Sequence, residues 1–384
     1  MTPSTDIETT IIGAGVIGLA IAARLSQNAQ DIFVIERNKS YGMETSGRNS
    51  EVIHAGLYYP KDSLKARLCV EGNRFLYDYI ERRRIRHLPC GKLIVATCEA
   101  EVETLESIQQ KALANGVQTL SFLTGKQVAE MEPWVRAVAA LHSPGTGVID
   151  SRHYMRSLYK DACDQGVRFI FGTRVRAIEV GANGRYTLHL VYPDGAPFSF
   201  TTRRLINCAG HEADQLAGQM GIDIDGEDYR HYFWKGDYFG VESPPFPVKR
   251  LVYPTPLPHA VGLGIHATID IHGKLKLGPD ATFIPDGSKE YSVDPGKREL
   301  FFNAVKPFLP FLQKEALYPE MAGIRPKRQK PGDPVKDFLI KEESARGLPE
   351  VVNLIGMESP GLTASLAIAT HVSQLLNEKE RRFP

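Results

Sequence analysis

The run Thr9-Thr10-Ile11-Ile12-Gly13-Ala14-Gly15-Val16-Ile17-Gly18-Leu19-Ala20-Ile21-Ala22-Ala23-Arg24-Leu25, followed by Ile32-Phe33-Val34-Ile35-Glu36, decides the fold. A short apolar strand runs into Gly13-x-Gly15-x-x-Gly18. An alanine-rich helix follows, and a second apolar strand ends on an acid. Three glycines alone are a weak signal; inside a complete β-α-β unit closed by Glu36 they form the dinucleotide fingerprint. Gly13 permits a tight turn. Gly15 leaves room for a pyrophosphate against the backbone, and Gly18 lets helix and strand approach closely. The helix N-terminus presents unpaired N–H groups and the positive end of its dipole to phosphates. Glu36 is placed to accept the hydroxyls of an adenosine ribose.

Working outward, a polar loop over 42–56 precedes an expected helix over 63–83. The pattern then predicts a strand from Lys92 to Thr97 and helices over 101–115, 126–132 and 151–165. Strands are expected near 167–171, 174–180, 186–192 and 204–208. Residues 221–325 change character, with dense prolines and aromatics and strand-like alternation, and read as a separate antiparallel sheet with a helix near 295–305. The chain then returns to nucleotide-domain character: Val351 to Ile355 as a strand, Gly356 to Gly361 as a turn, and a helix over 362–376 with apolar residues at helical spacing. The fold class expected is α/β, with a discontinuous Rossmann-like FAD-binding domain and a mostly antiparallel α+β substrate domain. The cofactor part is assigned to 1–85, 145–220 and 325–384, the substrate part to 86–144 and 221–324. FAD is favoured over NAD by the terminal position of the fingerprint and by the returning C-terminal unit. No second fingerprint occurs, since Gly145-x-Gly147 and Gly262-x-Gly264 lack the third glycine.

Composition narrows the function classes. Over 384 residues, 42% hydrophobic and 24% charged excludes wholesale disorder. A net charge of +1 gives no electrostatic case for nucleic acid. Five cysteines without a C-x-x-C pair argue for reduced thiols and against a zinc ribbon, so no metal site is expected. The first residues are polar and acidic where a secretory leader is basic. A cytoplasmic location is expected, with peripheral contact at the inner membrane left open.

Thr45-Ser46-Gly47-Arg48-Asn49-Ser50-Glu51-Val52-Ile53-His54-Ala55-Gly56 resembles the flavin-contacting loop of the D-amino-acid-oxidase-like FAD oxidoreductases, and Asn207-Cys208-Ala209-Gly210 their later FAD-contacting turn. Within that superfamily the chain is most similar to the L-2-hydroxyglutarate dehydrogenase/oxidase group. The pieces carrying this likeness are Ser63 to Gly72, Cys90 to Ala96, Gly264 to Thr268, Leu277 to Ala281 and Ser359 to Ser365, nearly the length of the chain. There are departures. Glu51 stands where members often carry glycine, and Gly323-Ile324-Arg325-Pro326 is closer to the element of the amino-acid oxidases.

The resemblance implies FAD contacts at Gly13, Gly15, Gly18, Glu36, Arg37, Ser46, Arg48, Asn49, Ser50, Val175, Ala209, Gly210, Gly356, Pro360, Gly361, Leu362 and Thr363. It implies oxidation of a small L-2-hydroxy acid, 2-hydroxyglutarate to 2-oxoglutarate, with hydride passing from the substrate carbon to flavin N5. Oxygen, a quinone or a carrier protein is left open as electron acceptor. His54 and His266 are both candidate bases, and His54 is equally readable as a flavin hydrogen-bond partner or a buried structural histidine. Arg325, on an expected turn, is the candidate carboxylate fork, with Lys235 or Arg48 for a second carboxylate. An amino-acid or glycerol 3-phosphate enzyme, and a non-catalytic FAD-binding protein, are the alternatives.

Overall fold

The structure, a computed structural model, describes residues 6–182, 184–243, 246–256 and 264–380. The Gly262 and Leu263 part of the expected pattern lies outside these residues. The opening unit forms as read: β1 (Asp6–Ile12), α1 (Val16–Leu25) and β2 (Ile32–Ile35). β1 pairs in parallel with β2 on one side and with Pro197–Asn207 on the other. Arg168–Ile170 extends the parallel array beyond β2, and Val351–Ile355 extends it beyond Asn207. The strands Arg174–Val180 and Tyr186–Val191 join the first half of Pro197–Asn207 as an antiparallel meander.

Helix placement follows the apolar residues. α1, α2 (Leu64–Arg83), Ser151–Asp164 and the long C-terminal helix Gly361–Glu380 bury one core with Ile11, Leu19, Leu76, Leu158 and Val372 fully enclosed. Ala213–Gln219 and the meander enclose a second core around Tyr186, Leu205 and Ala217. α2 begins at Ser63, whose hydroxyl accepts from the Ala66 N–H, a preferred N-cap arrangement.

The second sheet has nine strands and is antiparallel except where Leu251–Pro254 pairs in parallel with Lys92–Ala96. Its long hairpin-like pair is Tyr232–Val241 against Leu317–Lys327. Arg325 therefore lies in an extended strand, not in a turn as the Gly-x-Arg-Pro pattern suggested. Pro326 is tolerated there because Leu317–Lys327 has one partner strand and needs no N–H on its free side. The strands Ser121–Thr124 and Ala139–Ser143 were not anticipated. Ser121–Thr124 is a largely exposed edge with no apolar alternation to betray it. Among the described residues no helix is long and apolar enough to cross a membrane.

Glu51 adopts φ +58, in the left-handed region. That explains why glycine suits the position. Here the carboxylate accepts from the Ser151 hydroxyl at 2.6 Å and the Ser151 N–H at 3.1 Å, which offsets the strain at the start of Ser151–Asp164.

α2 crosses the C-terminal helix at Gly72. A Cβ there would sit 2.5 Å from the Thr363 carbonyl oxygen and 2.7 Å from Ala364 Cα. Gly72→Ala should destabilise the fold, because overpacking against backbone costs about 1–3 kcal/mol and exceeds the helix-propensity gain of about 1 kcal/mol. Denaturant unfolding that shows equal or higher stability for Gly72→Ala would contradict this close contact.

Candidate active site

A cavity of about 1060 Å³ opens where the two sheets meet. At one end it is lined by the glycine turn. Gly13 has φ +102, and a Cβ on it would lie 2.4 Å from the Cys208 carbonyl oxygen. A Cβ on Gly18 would lie 2.0 Å from the Gly13 carbonyl oxygen. Both positions exclude a side chain. The Glu36 carboxylate accepts the Ala14 N–H at 2.8 Å through one oxygen and the Asn38 N–H at 2.8 Å through the other. Each oxygen keeps a lone pair for a hydroxyl. Ser46 Oγ accepts the Val16 N–H at 2.9 Å, while Ile17 and Gly18 in the first turn of α1 have no acceptor within the helix. Side-chain-free backbone, free first-turn donors and a buried acid fit the pyrophosphate and ribose of FAD.

The structure brings most of the expected residues to this cavity. Gly13, Gly15, Gly18, Glu36, Arg37, Ser46, Arg48, Asn49, Ser50, Val175, Ala209, Gly210, Pro360, Gly361 and Leu362 all line it, as do His54, His266 and Arg325. Gly356 and Thr363 stand behind the lining. A Cβ on Gly356 would meet the Arg328 side chain at 2.9 Å. Thr363 Oγ1 accepts the His54 N–H at 3.0 Å and donates to the Val52 carbonyl, so it anchors the His54 backbone. Arg37 is held by Glu44 and Glu212. Arg48 lies 4.1 Å over the Tyr291 ring. Lys235 donates to the Ser292 carbonyl, lies 3.6 Å from Asp237, and is not among the lining residues.

His54, His211 and His266 line the cavity, and the two candidate bases are His54 and His266. His266 is buried and stacks on Tyr253, ring centres 3.7 Å apart. Its Nδ1 lies 2.9 Å from the Gly264 carbonyl oxygen, which only accepts, so the proton is assigned to Nδ1 and the lone pair to Nε2. His54 Nε2 lies 3.3 Å from Ser359 Oγ. Burial, and then the positive charge of Lys92, push the His54 ring down to about 3. Burial does the same to His266, also to about 3, only partly opposed by the Gly264 carbonyl. Both rings are neutral at physiological pH and able to accept a proton.

The Arg325 guanidinium is fixed by three main-chain carbonyls: Asp280 at 2.7 Å, Lys235 at 3.2 Å and Trp234 at 3.4 Å. These hold Nε and Nη2. Among the described residues Nη1 has no hydrogen-bond partner. Gly236 makes the posture feasible, since a Cβ there would stand 3.1 Å from Nη2. Its hydrogen-bond partners are carbonyls and not carboxylates, which leaves room for a guest carboxylate.

The expected residues did not include a buried triad. Lys65 Nζ lies 2.8 Å and Lys327 Nζ 3.1 Å from the two oxygens of Glu358, and all three residues line the cavity. Burial alone would raise the Glu358 carboxyl, but Lys65 and Lys327 overcome it and hold the group at about 2. Nothing local in the sequence links residues 65, 327 and 358. Lys92 was missed as well. Its signal was available: one charge at the head of the apolar strand Lys92–Ala96.

Glu358 should supply acid-sensitive stability. Its folded value is depressed below the ordinary carboxyl value of about 4.3, so the contribution is fully present above that value and is lost as pH falls from there towards 2. Glu358→Gln leaves two buried ammonium groups without their carboxylate and should cost about 3–5 kcal/mol near neutral pH. It should also shrink the stability difference between neutral and acidic solution. Denaturant curves at both pH values that match the parent protein would refute this role.

The chain matches the FAD dependent oxidoreductase family, DAO, over residues 8–375. It is 37% identical to the mitochondrial L-2-hydroxyglutarate dehydrogenase of Arabidopsis thaliana, covering 96% of this chain and 83% of that protein. It is 29% identical to the L-2-hydroxyglutarate dehydrogenase of Indibacter alkaliphilus, covering 96% and 98%. Among solved structures it is similar to the FAD-bound, dithionite-reduced L-α-glycerophosphate oxidase of Mycoplasma pneumoniae, with TM-score 0.86, 28% identity and coverage of 97% and 95%. Glycine oxidase from Geobacillus kaustophilus shares the fold, with TM-score 0.79 at 20% identity. With a glycine cradle built for FAD and a family match across nearly its whole length, this chain belongs to the DAO family of FAD-dependent oxidoreductases.

Proposed function

We propose that the protein oxidises L-2-hydroxyglutarate to 2-oxoglutarate. The observation that carries the reading is one cavity holding a guanidinium fixed by carbonyls, the neutral imidazoles of His54 and His266, and the FAD cradle. The names of the plant and bacterial relatives support the substrate. Bound FAD supplies the two-electron acceptor for the carbon–hydrogen bond that breaks. Arg325 holds the carboxylate next to the reacting carbon. An imidazole takes the hydroxyl proton as hydride leaves that carbon, yielding the oxo acid. His266 has its lone pair fixed at Nε2; His54, beside Ser359, is the other acceptor. Tyr58, Tyr238 and Tyr253 form an aromatic wall of the same cavity. The division of the chain into cofactor segments 1–85, 145–220 and 325–384 and substrate segments 86–144 and 221–324 is part of the same proposal.

A second reading, oxidation of glycerol 3-phosphate, is favoured by the likeness to the Mycoplasma pneumoniae oxidase. A guanidinium also recognises phosphate. The two are separated by anaerobic bleaching of the flavin absorbance with a panel of L-2-hydroxyglutarate, glycerol 3-phosphate, L-2-hydroxy monoacids and amino acids. L-2-hydroxyglutarate should bleach the flavin fastest. Arg325→Met should lower kcat/KM for it by roughly ten- to a hundred-fold, the worth of a charged hydrogen bond, with FAD content unchanged. Faster bleaching by glycerol 3-phosphate would overturn the assignment.

The pH profile tests the bases. A base must be unprotonated, and both rings are depressed to about 3. The acid-side loss of kcat/KM should therefore fall well below the ordinary imidazole value of about 6.5. Replacing the true base by alanine should slow flavin reduction roughly 10²–10⁴-fold. An acid limb centred near the ordinary value, or wild-type reduction rates in both His54→Ala and His266→Ala, would remove the histidines from the role.

A further inference from the structure

Three lysines are buried among the described residues: Lys65, Lys92 and Lys327. Lys65 and Lys327 share Glu358. Lys92 is 1% exposed, and among the described residues no carboxylate, carbonyl or hydroxyl is recorded within bonding distance of its ammonium. Its ammonium stands over two aromatic rings, Tyr253 at 4.6 Å and Tyr58 at 4.8 Å. A cation–π contact is worth a few kcal/mol at most, whereas desolvating an ammonium costs several. Lys92 is thus a buried cation left without a counter-charge.

A second orphan stands beside it. The Tyr58 hydroxyl is buried and has no hydrogen-bond partner. Such groups are rare in folded proteins and ask for a missing partner. Both Tyr58 and Tyr253 line the cavity, Lys92 stands directly behind their rings, and Tyr253 stacks on His266. An ammonium and a phenol hydroxyl are both donors, and what completes the pair is an anion with acceptor oxygens.

We propose that Lys92 and Tyr58 form a second anion subsite, which receives the distal carboxylate of a dicarboxylate whose first carboxylate rests on Arg325. The inference rests on the 2-hydroxy acid reading above and deepens it by assigning the group that reads the far end. His266 lies within the electrostatic reach of both Lys92 and Arg325. A five-carbon 2-hydroxy diacid carries one carboxylate beside the hydroxyl-bearing carbon and a second at its far end, two anions for the two cations. Burial holds Lys92 down to about 7, the behaviour of an ammonium that lacks its anion. Arg48 and Lys235, the cations first considered for the second carboxylate, are engaged elsewhere.

The test is calorimetric binding to the FAD-loaded protein, with two unreactive probes of equal chain length, glutarate and pentanoate. Turnover is not required, so failure of the subsite is distinguishable from failure of the substrate assignment, which the bleaching panel reads separately. The parent protein should bind glutarate at least roughly tenfold more tightly than pentanoate, as expected of a charged hydrogen bond. Lys92→Met should bring that ratio close to one, chiefly by weakening glutarate. Tyr58→Phe, which keeps the ring and removes the orphan hydroxyl, should lower the ratio by a few fold and serves if Lys92→Met does not fold. A ratio near one in the parent protein, a ratio unchanged in both variants, or equal weakening of both probes would overturn the proposal.

Discussion

Everything in the cofactor half of the molecule depends on a backbone contact too tight for side chains. The β1–α1 turn, the first turn of α1 and the end of Pro197–Asn207 meet within van der Waals limits at Gly13, Gly18 and Cys208. That closeness fixes where α1 points, and hence where its unpaired N–H groups face. It also sets the depth at which Glu36 closes the next strand and accepts the Ala14 N–H. Relaxing the contact would separate the helix from the sheet before it changed any residue that touches a ligand.

The substrate side works by a different economy of charge. Around the cavity stand cations in three states: one pair shared with Glu358, one guanidinium held by carbonyls, and, behind the lining rings of Tyr58 and Tyr253, one ammonium against aromatic faces. The first is internally satisfied and stabilises the fold. The guanidinium keeps its charge for a guest, and the ammonium, held down by burial, is the one that a bound anion would restore to full charge. In a site shielded from water such charges act strongly, because the local dielectric is low. Burial in the same site, helped by the nearby positive charge, holds both imidazoles neutral.

The sequence was informative where structure is local. Gly13-x-Gly15-x-x-Gly18 with Glu36 lies within one β-α-β unit, and the observed elements agree with the expected helices at 63–83, 151–165 and 362–376. His54, His266 and Arg325 could be named from short runs, but their mutual position could not. The conformation of Arg325 was misjudged because Gly-x-Arg-Pro looks like a turn when the partner strand, Tyr232–Val241, is out of view. The Lys65–Glu358–Lys327 triad joins positions nearly 300 residues apart and leaves no periodic trace. Lys92 did leave one, a lone charge opening an apolar strand, and its meaning emerges only when the neighbours are seen to offer no anion.

The order of strands in the parallel sheet also has a consequence for biosynthesis. β1 is flanked by Pro197–Asn207, which is flanked in turn by Val351–Ile355, and the cavity is finished by Pro360, Gly361 and Leu362. The cradle begun at residue 9 thus stays open along one edge until almost the whole chain has left the ribosome. Pairings this distant in sequence form late and slowly. One edge of β1 has no native neighbour until Pro197–Asn207 is made, and the far edge of that strand has none until Val351–Ile355, so the nascent chain is exposed to misassociation while its dinucleotide motif is already complete in sequence.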